Sequence, residues 1–416
     1  MANTLTFIDM VAREALSVAH EKTQFIGTTD RQYDDSFGKS GAKIGSSLRV
    51  RNANQYTRRQ GSRVMDVQDQ AESTQTITVA TQDGVDMRFN SAELALNTDN
   101  VSEVAAFSKR YIEPAVSVLM SGIEADFLAY ATKATYNVAG SAGTAITTLD
   151  VPGKARAKLN QGLAPKDTNR AIQMDSVTMS GLVNGTAAYF APNADIAKQY
   201  REGMVARTAM ADYYENERVW TLTNSDDVTA NSNADAGVTD GGSLIKIYTD
   251  LAIAKQTVGS VFTIAGVYAC HPETKAAYAN LQQFTITVAD PGTSGTTISP
   301  AIYLTGAKKN VCSSTGANLA VTDFNSKALV FVGSASSSYA QSLMYHKDAF
   351  QFITADLPLM DDAHKCTRRV QDGLSVRVWQ ASDIRNDELL MRIDVLYGMA
   401  ALRPAWACRM IGAASS

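Results

Sequence analysis

Histidine and cysteine are scarce in this chain, and each scarcity closes off chemistry. There are four histidines, His20, His271, His346 and His364, so imidazole acid–base work has few places to sit. There are four cysteines, Cys270, Cys312, Cys366 and Cys408. They lie far apart with no CxxC pair, which indicates neither a zinc knuckle nor a disulfide framework. Reduced thiols in a cytosolic product are expected. No GxSxG occurs, so there is no nucleophile elbow. PGTSGTT (residues 291–297) lacks the GK[ST] of a phosphate loop, and no GxGxxG follows a strand.

Charge is also thin. Asp, Glu, Lys and Arg make up 19% of the chain, against the usual quarter. Formal net charge is -4, whereas a dedicated duplex-binding domain is basic, with pI above roughly 9. Any nucleic-acid contact is therefore expected to be local or weak. No apolar run reaches the roughly 18 residues of a membrane-crossing helix. The opening residues, MANTLTFIDMVAREALSVAH, have no basic segment followed by an apolar core and do not read as a signal peptide.

What is present is material for large cores and large contacts. The chain has 416 residues, 45% of them hydrophobic, which predicts two or three domains or one domain with long insertions. Small polar residues are plentiful. That suits protein–protein surfaces, whose centres are depleted of charge.

Along the chain, residues 5–20 have an amphipathic helical pattern through Leu5, Ile8, Ala12, Ala15 and Val18. Residues 46–90 contain strand-like SSLRVRNANQY and QTITVATQ, then VDMRF and a short helical SAELAL. Between the first two strands lies TRRQGSRVMDVQDQAES, a long polar excursion. Two strands joined in this way make an arm that cannot bury its own tip and needs a partner surface. Residues 100–133 carry the broadest apolar helical stripe. Asp99 or Asn100 stands ready to cap it, with Glu103 as in a capping box. Pro114 should kink that helix or start its second half. A second helix is expected over 152–162. QMDSVTMSGLVNG reads as strand and turn, APNADIAKQYREGMVA as helix and ERVWTLTN as strand. Residues 224–242 are a composition break. After it IKIYTDL, SVFTIAGVYA, QQFTITVAD and TTISPAIYL form an all-β pattern, a small barrel or sandwich. From about residue 328 the style reverts, with KALVFVG and later the long strands GLSVRVWQASD and ELLMRIDVLYGMAALRP. The expectation is a β-domain inserted into an α+β host.

Several residues could carry chemistry. In YHKDAFQFITADLPL (residues 345–359), His346 and Asp348 would share a strand face. They could be two members of a hydrolase triad, or polar residues that end a strand; without a nucleophile motif the second is preferred. Asp362, His364 and Cys366 alternate and could meet a metal, but mixed ligands at that spacing fit no standard zinc site, and a polar loop is preferred. Asp34–Asp35, Asp226–Asp227 and Asp361–Asp362 diverge in extended chain and read as turn residues. No catalytic, cofactor or metal residue is expected. The informative cluster is in the arm, where Arg49, Arg51, Arg58, Arg59 and Arg63 are followed by Asp66, Asp69 and Glu72. It could be a nucleic-acid patch, a solvated loop, or a two-signed arm across a neighbouring copy, where charge sets register more than affinity.

Three stretches carry a resemblance. Residues 261–302 (VFTIAGVYACHPETKAAYANLQQFTITVADPGTSGTTISPAI), residues 345–359, and residues 391–412 (MRIDVLYGMAALRPAWACRMIG) resemble the major capsid (coat) proteins of tailed bacteriophages. The family has the Hong Kong 97 fold, and the chain is most similar to short-tailed phage coat proteins with an insertion domain. The resemblance implies an N-terminal arm over 1–45, an extended loop over 46–90, and a peripheral domain with a spine helix over 91–165. It then implies an axial domain over 166–224 and 329–385, an inserted β-barrel over 225–328 and peripheral strands over 386–416. It implies no enzymatic activity and no cofactor. The subunits would assemble as hexamers and pentamers, through a scaffold-assisted procapsid, into an icosahedral shell around double-stranded DNA. Partners would be other copies, a scaffolding protein, a portal at one vertex and weakly contacted DNA, with no membrane. The location would be the virion, after assembly in the bacterial cytoplasm. The Arg49–Glu72 cluster would meet a neighbouring subunit. Another class of function remains beside this one: a virion-surface or secreted binding module that uses the 225–328 β-domain.

Overall fold

The computed structural model describes residues 7–34, 47–59, 61, 63–65, 67–68, 74–90, 111–186, 211–225, 232–235, 238–249, 252–253, 256–289, 295–360, 365–371 and 373–414. Strand exceeds helix in a mixed α+β chain, which divides into two units. The first comprises residues 1–50, 74–127 and 350–400, and the second 51–73, 128–349 and 401–416.

The first unit is built on a mixed sheet. Its order is Asp30–Asp34, Phe350–Ala355, Glu388–Ala401, Leu374–Asp383 and Lys365–Gln371, with Thr81–Asn90 also paired to Glu388–Ala401. Asp30–Asp34 runs parallel to Phe350–Ala355, while Thr81–Asn90 lies antiparallel from Thr81↔Tyr397 to Asn90↔Glu388. Alternation puts Met391, Ile393, Val395 and Tyr397 inside. The expected break at 385/386 falls in the turn of an antiparallel hairpin registered Asp383↔Glu388 and Arg377↔Asp394.

The amphipathic pattern at the start becomes the helix Phe7–Lys22, with Val11, Ala12, Ala15, Leu16, Val18 and Ala19 buried. Phe25 follows and packs on Phe127 with ring centroids 4.8 Å apart. Glu124, fully buried, accepts the backbone N–H groups of Gln24 (3.1 Å) and Phe25 (2.9 Å). A carboxylate thus meets the orphan amides at the start of the short helix Phe25–Thr28.

The long helix runs Glu113–Ala134. Pro114 sits in its first turn, where no amide partner is needed. The expected caps Asp99, Asn100 and Glu103, the helical SAELAL and the expected helix over 191–206 lie outside the described residues.

The second unit holds two sheets. One orders Val138–Gly140, Ala407–Ala414, Ser338–His346, Arg170–Met174 and Asp212–Glu215, with Thr221–Thr223 added to Ser338–His346. The helices Asp150–Gln161 and Ser176–Thr186 cover it through Ala155, Leu159, Met179 and Leu182. The segment after Met174 reads as strand and turn in the sequence, and the structure makes it helix. Asp175 Oδ2 accepts the Thr178 N–H at 3.0 Å and caps the helix. Met179, Leu182 and Thr186 then fall on its buried face. The cap outweighs the strand preference of Val177 and Thr178.

The other sheet contains the all-β segment. Gly242–Thr249, Thr296–Ile302, Ala277–Val288, Val261–Cys270, Lys327–Phe331 and Ser232–Asp235 pair in that order, and Ser232–Asp235 pairs again with Gly242–Thr249. Ile245, Ile247, Phe262, Ile264, Phe284 and Ile286 fill the interior. Lys327–Phe331 is part of this ring through Phe262↔Phe331, although its sequence reads as the start of the returning host. Its Leu329 and Phe331 complete the same core.

Candidate functional site

The arm is the first candidate. Ser47–Arg51 and Thr74–Thr78 pair as a two-stranded sheet. Thr57 and Gln68 exchange two hydrogen bonds: Thr57 N to Gln68 Oε1 at 2.8 Å, and Gln68 Nε2 to Thr57 O at 2.7 Å. Arg59 also donates to the Val64 carbonyl. Val64, Met65 and Val67 are 77%, 78% and 77% exposed. Arg49, Arg51, Arg58, Arg59 and Arg63 are exposed as well. Asp66, Asp69 and Glu72 lie outside the described residues. The tip therefore presents an apolar cluster among cations, a surface that bare loops avoid and interfaces use. The sequence shows the arginines; the apolar VMDV beside them is the signal that complements the charge.

The second candidate is His346. It ends the strand Ser338–His346; a short 3-10 turn, Lys347–Ala349, follows, then the strand Phe350–Ala355. The side chain is 2% exposed, and Nε2 lies 3.0 Å from Asp167 Oδ1. Its other nitrogen, Nδ1, accepts the Asp348 N–H at 3.2 Å. The Asp348 carboxylate stands further off, at 3.8 Å. An Nδ1 that accepts leaves Nε2 protonated and donating to Asp167. Trp406 packs edge-on at 5.4 Å. Both ring nitrogens are thus engaged, and none is left to deprotonate a nucleophile. The Asp167 pKa is lowered: burial pushes it up, but hydrogen bonds from Asn169 and His346 outweigh that. Asp167 is 179 residues away in sequence, so no local pattern pairs it with His346.

Of the alternating Asp362, His364 and Cys366, the first two lie outside the described residues, and Cys366 is half-buried. Asp35, Asp226 and Asp227 also lie outside them. Among the described residues no group of three His, Cys, Asp or Glu side chains could hold a metal. No described helix is long and apolar enough to cross a membrane.

The third candidate is a buried cation. Arg409 is 0% exposed. It donates to Gly259 O at 2.5 Å, Lys133 O at 3.1 Å and Thr285 Oγ1 at 2.8 Å. Thr285 Oγ1 itself donates to Lys133 O at 3.1 Å. Lys133 lies in the last turn of the long helix, whose end favours positive charge. Burial pulls the Arg409 pKa down to about 9. All its partners are neutral, so it joins helix end, returning strand and β-ring without an ion pair.

The chain is similar to tailed-phage major capsid proteins, as its sequence resemblance indicated. The family that matches is described as "P22 coat protein - gene protein 5", over residues 221–412. That match spans under half of the chain. No curated protein matches the chain. Among solved structures, one from Mycobacterium phage Che8 is 10% identical over 93% of this chain and 90% of its own, with a TM-score of 0.48. The capsid of cyanophage P-SCSP1u is 12% identical over 93% and 90%, with a TM-score of 0.43. The mature capsid of bacteriophage PhiM1 is 11% identical over 94% and 86%, with a TM-score of 0.44.

Proposed function

We propose that this chain is the subunit of an icosahedral phage head, with the Hong Kong 97 arrangement and an inserted β-barrel. The observation that carries the proposal is the arm, whose tip exposes Val64, Met65 and Val67 beside its arginines. In a shell those residues lie on a neighbouring copy, and Arg49, Arg51, Arg58, Arg59, Arg63, Asp66, Asp69 and Glu72 set the register of that contact. Residues 1–45 act as the N-terminal arm and 46–90 as the extended loop. The peripheral, axial and inserted parts follow the order the sequence suggests. Hexamers and pentamers form by many weak contacts, so errors dissociate while the summed contacts make the shell durable. A scaffold guides a procapsid that expands as double-stranded DNA enters through a portal vertex. A net charge of -4 suits a container, since a strongly basic lining would hold DNA by counterion release. Assembly takes place in the bacterial cytoplasm.

Negative-stain electron microscopy of the purified chain, expressed with and without its neighbouring genes, tests this. Closed particles, or sheets and spirals from the chain alone, are expected. A clean monomer or small oligomer under both conditions at high concentration would overturn the proposal.

A further inference from the structure

Within the second unit a cleft of about 780 Å³ opens beside the β-ring. Its described walls carry Lys158, Lys275, Lys308, Lys309 and Arg403 and no aspartate or glutamate. None of the five makes an ion pair with a described residue. Glu273 is close enough to raise the Tyr278 pKa, after burial, but it does not line the cleft.

Two of the ammonium groups are held by neutral oxygens. Lys275 Nζ donates to Pro272 O at 2.6 Å and Lys309 O at 3.3 Å. Lys309 Nζ donates to Gly316 O at 2.9 Å and Asn318 Oδ1 at 2.6 Å. Such bonds fix the groups and leave their charge uncancelled. Burial pulls the pKa of Lys158 down. It does the same for Lys275, where the charge of Lys309 adds to the effect. A cleft lined by one sign of charge focuses its field and concentrates counter-ions.

The remaining walls are mainly amide, small and aromatic side chains. Tyr136, Tyr278, Tyr303 and Trp406 line the cleft. The Trp406 indole N–H is fixed on Gly162 O at 2.9 Å. Arg403 stacks on the Trp406 ring at 4.2 Å, and Lys308 lies 5.8 Å from the Tyr303 centroid. A monocarboxylate would leave most of these cations uncompensated. A phosphate chain brings several negative charges in a small volume, and flat aromatic walls accept a planar ring. The volume lies in the range of small-molecule sites, about 300–1,000 Å³.

We propose that this cleft binds a polyphosphate ligand of nucleotide size. Its phosphates meet Lys158, Lys308 and Arg403, and its ring lies on the tyrosine wall. Lys275 and Lys309 contribute charge from fixed positions. Inorganic polyphosphate is the other source of the same chemistry.

Titration calorimetry of the purified full chain with ATP, inorganic triphosphate, adenosine and hexaglutamate tests the site. ATP is expected to bind, triphosphate to bind more weakly and adenosine not to bind. Equal binding of triphosphate and ATP would support the phosphate site with inorganic polyphosphate as its ligand. Lys158→Gln and Lys308→Gln should each weaken ATP about tenfold or more. Lys154→Gln, at an exposed residue paired with Asp150, should leave binding unchanged. Arg403→Gln is the further variant if either lysine change lowers the melting temperature. No heat from ATP or triphosphate at millimolar concentration would overturn the proposal. So would cleft variants that bind like the parent, an equal loss in Lys154→Gln, or tighter binding of hexaglutamate than ATP.

Discussion

His346 Nε2 lies 3.0 Å from Asp167 Oδ1, while His346 Nδ1 accepts the Asp348 N–H. The pair ties the end of the strand Ser338–His346 to the loop that leads into Arg170–Met174. Those two strands are neighbours, registered His346↔Arg170, so the contact closes the end of a ladder. The expected consequence is mechanical. His346→Ala should cost about 2 kcal/mol, from the lost hydrogen bonds and the cavity left where the buried ring packs on Trp406. Urea unfolding monitored by tryptophan fluorescence measures it. A variant within a few tenths of the parent would contradict the role.

The same pair sets a pH dependence. The folded-state pKa of Asp167 is depressed. Its contribution is therefore fully present above the ordinary carboxyl pKa and is lost as pH falls through the lower folded value. Asp167→Asn should remove that part of the acid limb and leave the pH dependence above about 5 as in the parent. Melting temperatures from pH about 2.5 to 6 for parent and variant would show the difference in slope.

Arg409 makes a stronger claim on stability. Its removal takes away the guanidinium bonds to the Gly259 carbonyl and the Thr285 hydroxyl, leaves the Lys133 carbonyl with Thr285 Oγ1 alone, and empties the space of a large side chain. Arg409→Ala should cost about 3 kcal/mol or more. Gly259 supports the same joint: its φ is +97°, and a Cβ there would sit 2.6 Å from Trp220 and 3.2 Å from Lys133. Gly259→Ala should cost about 1–3 kcal/mol from left-handed strain and crowding together. Denaturation curves of both variants check the magnitudes. If Arg409→Ala is neutral, the cation is not a joint.

In the first unit, Glu124 should behave in the same way. Glu124→Ala strands the amides of Gln24 and Phe25 and should destabilise by about 2–3 kcal/mol. Glu124→Gln, which keeps one acceptor oxygen, should cost less. Thermal melts of the two variants separate hydrogen bonding from packing.

Much of the fold was legible because it rests on periodicity. The helix Phe7–Lys22 and the strands Val261–Cys270, Leu374–Asp383 and Glu388–Ala401 follow their apolar spacing closely. The helix Ser176–Thr186 was not, because Val177 and Thr178 favour strand and the deciding contact is a single cap from Asp175. Lys327–Phe331 has an ordinary strand pattern, and only pairing decides which sheet takes it. Of the candidate sites, the arm is visible as a polar excursion between strands. The partners of His346 and Arg409 are not, since Asp167 is 179 residues from one and Gly259 is 150 from the other. Buried charges with neutral or distant partners leave no local trace.

The arm gives the decisive prediction about assembly. Val64, Met65 and Val67 are more than three-quarters exposed, so changing them removes no internal packing. Val64→Asp with Val67→Asp should alter stability by less than about 0.5 kcal/mol, as surface changes do. It should nevertheless prevent shell formation, because each charge would have to be buried in every copy of the contact. Deletion of residues 58–70 should have the same outcome more severely, with the subunit still folded. Sedimentation and electron microscopy would report particles against free subunits, and a melting curve would report the fold. Normal particles from the double variant would place the arm tip outside the subunit contacts, and the capsid reading would lose its main structural support. Loss of particles with an unchanged melting temperature would assign the tip to the contact between copies.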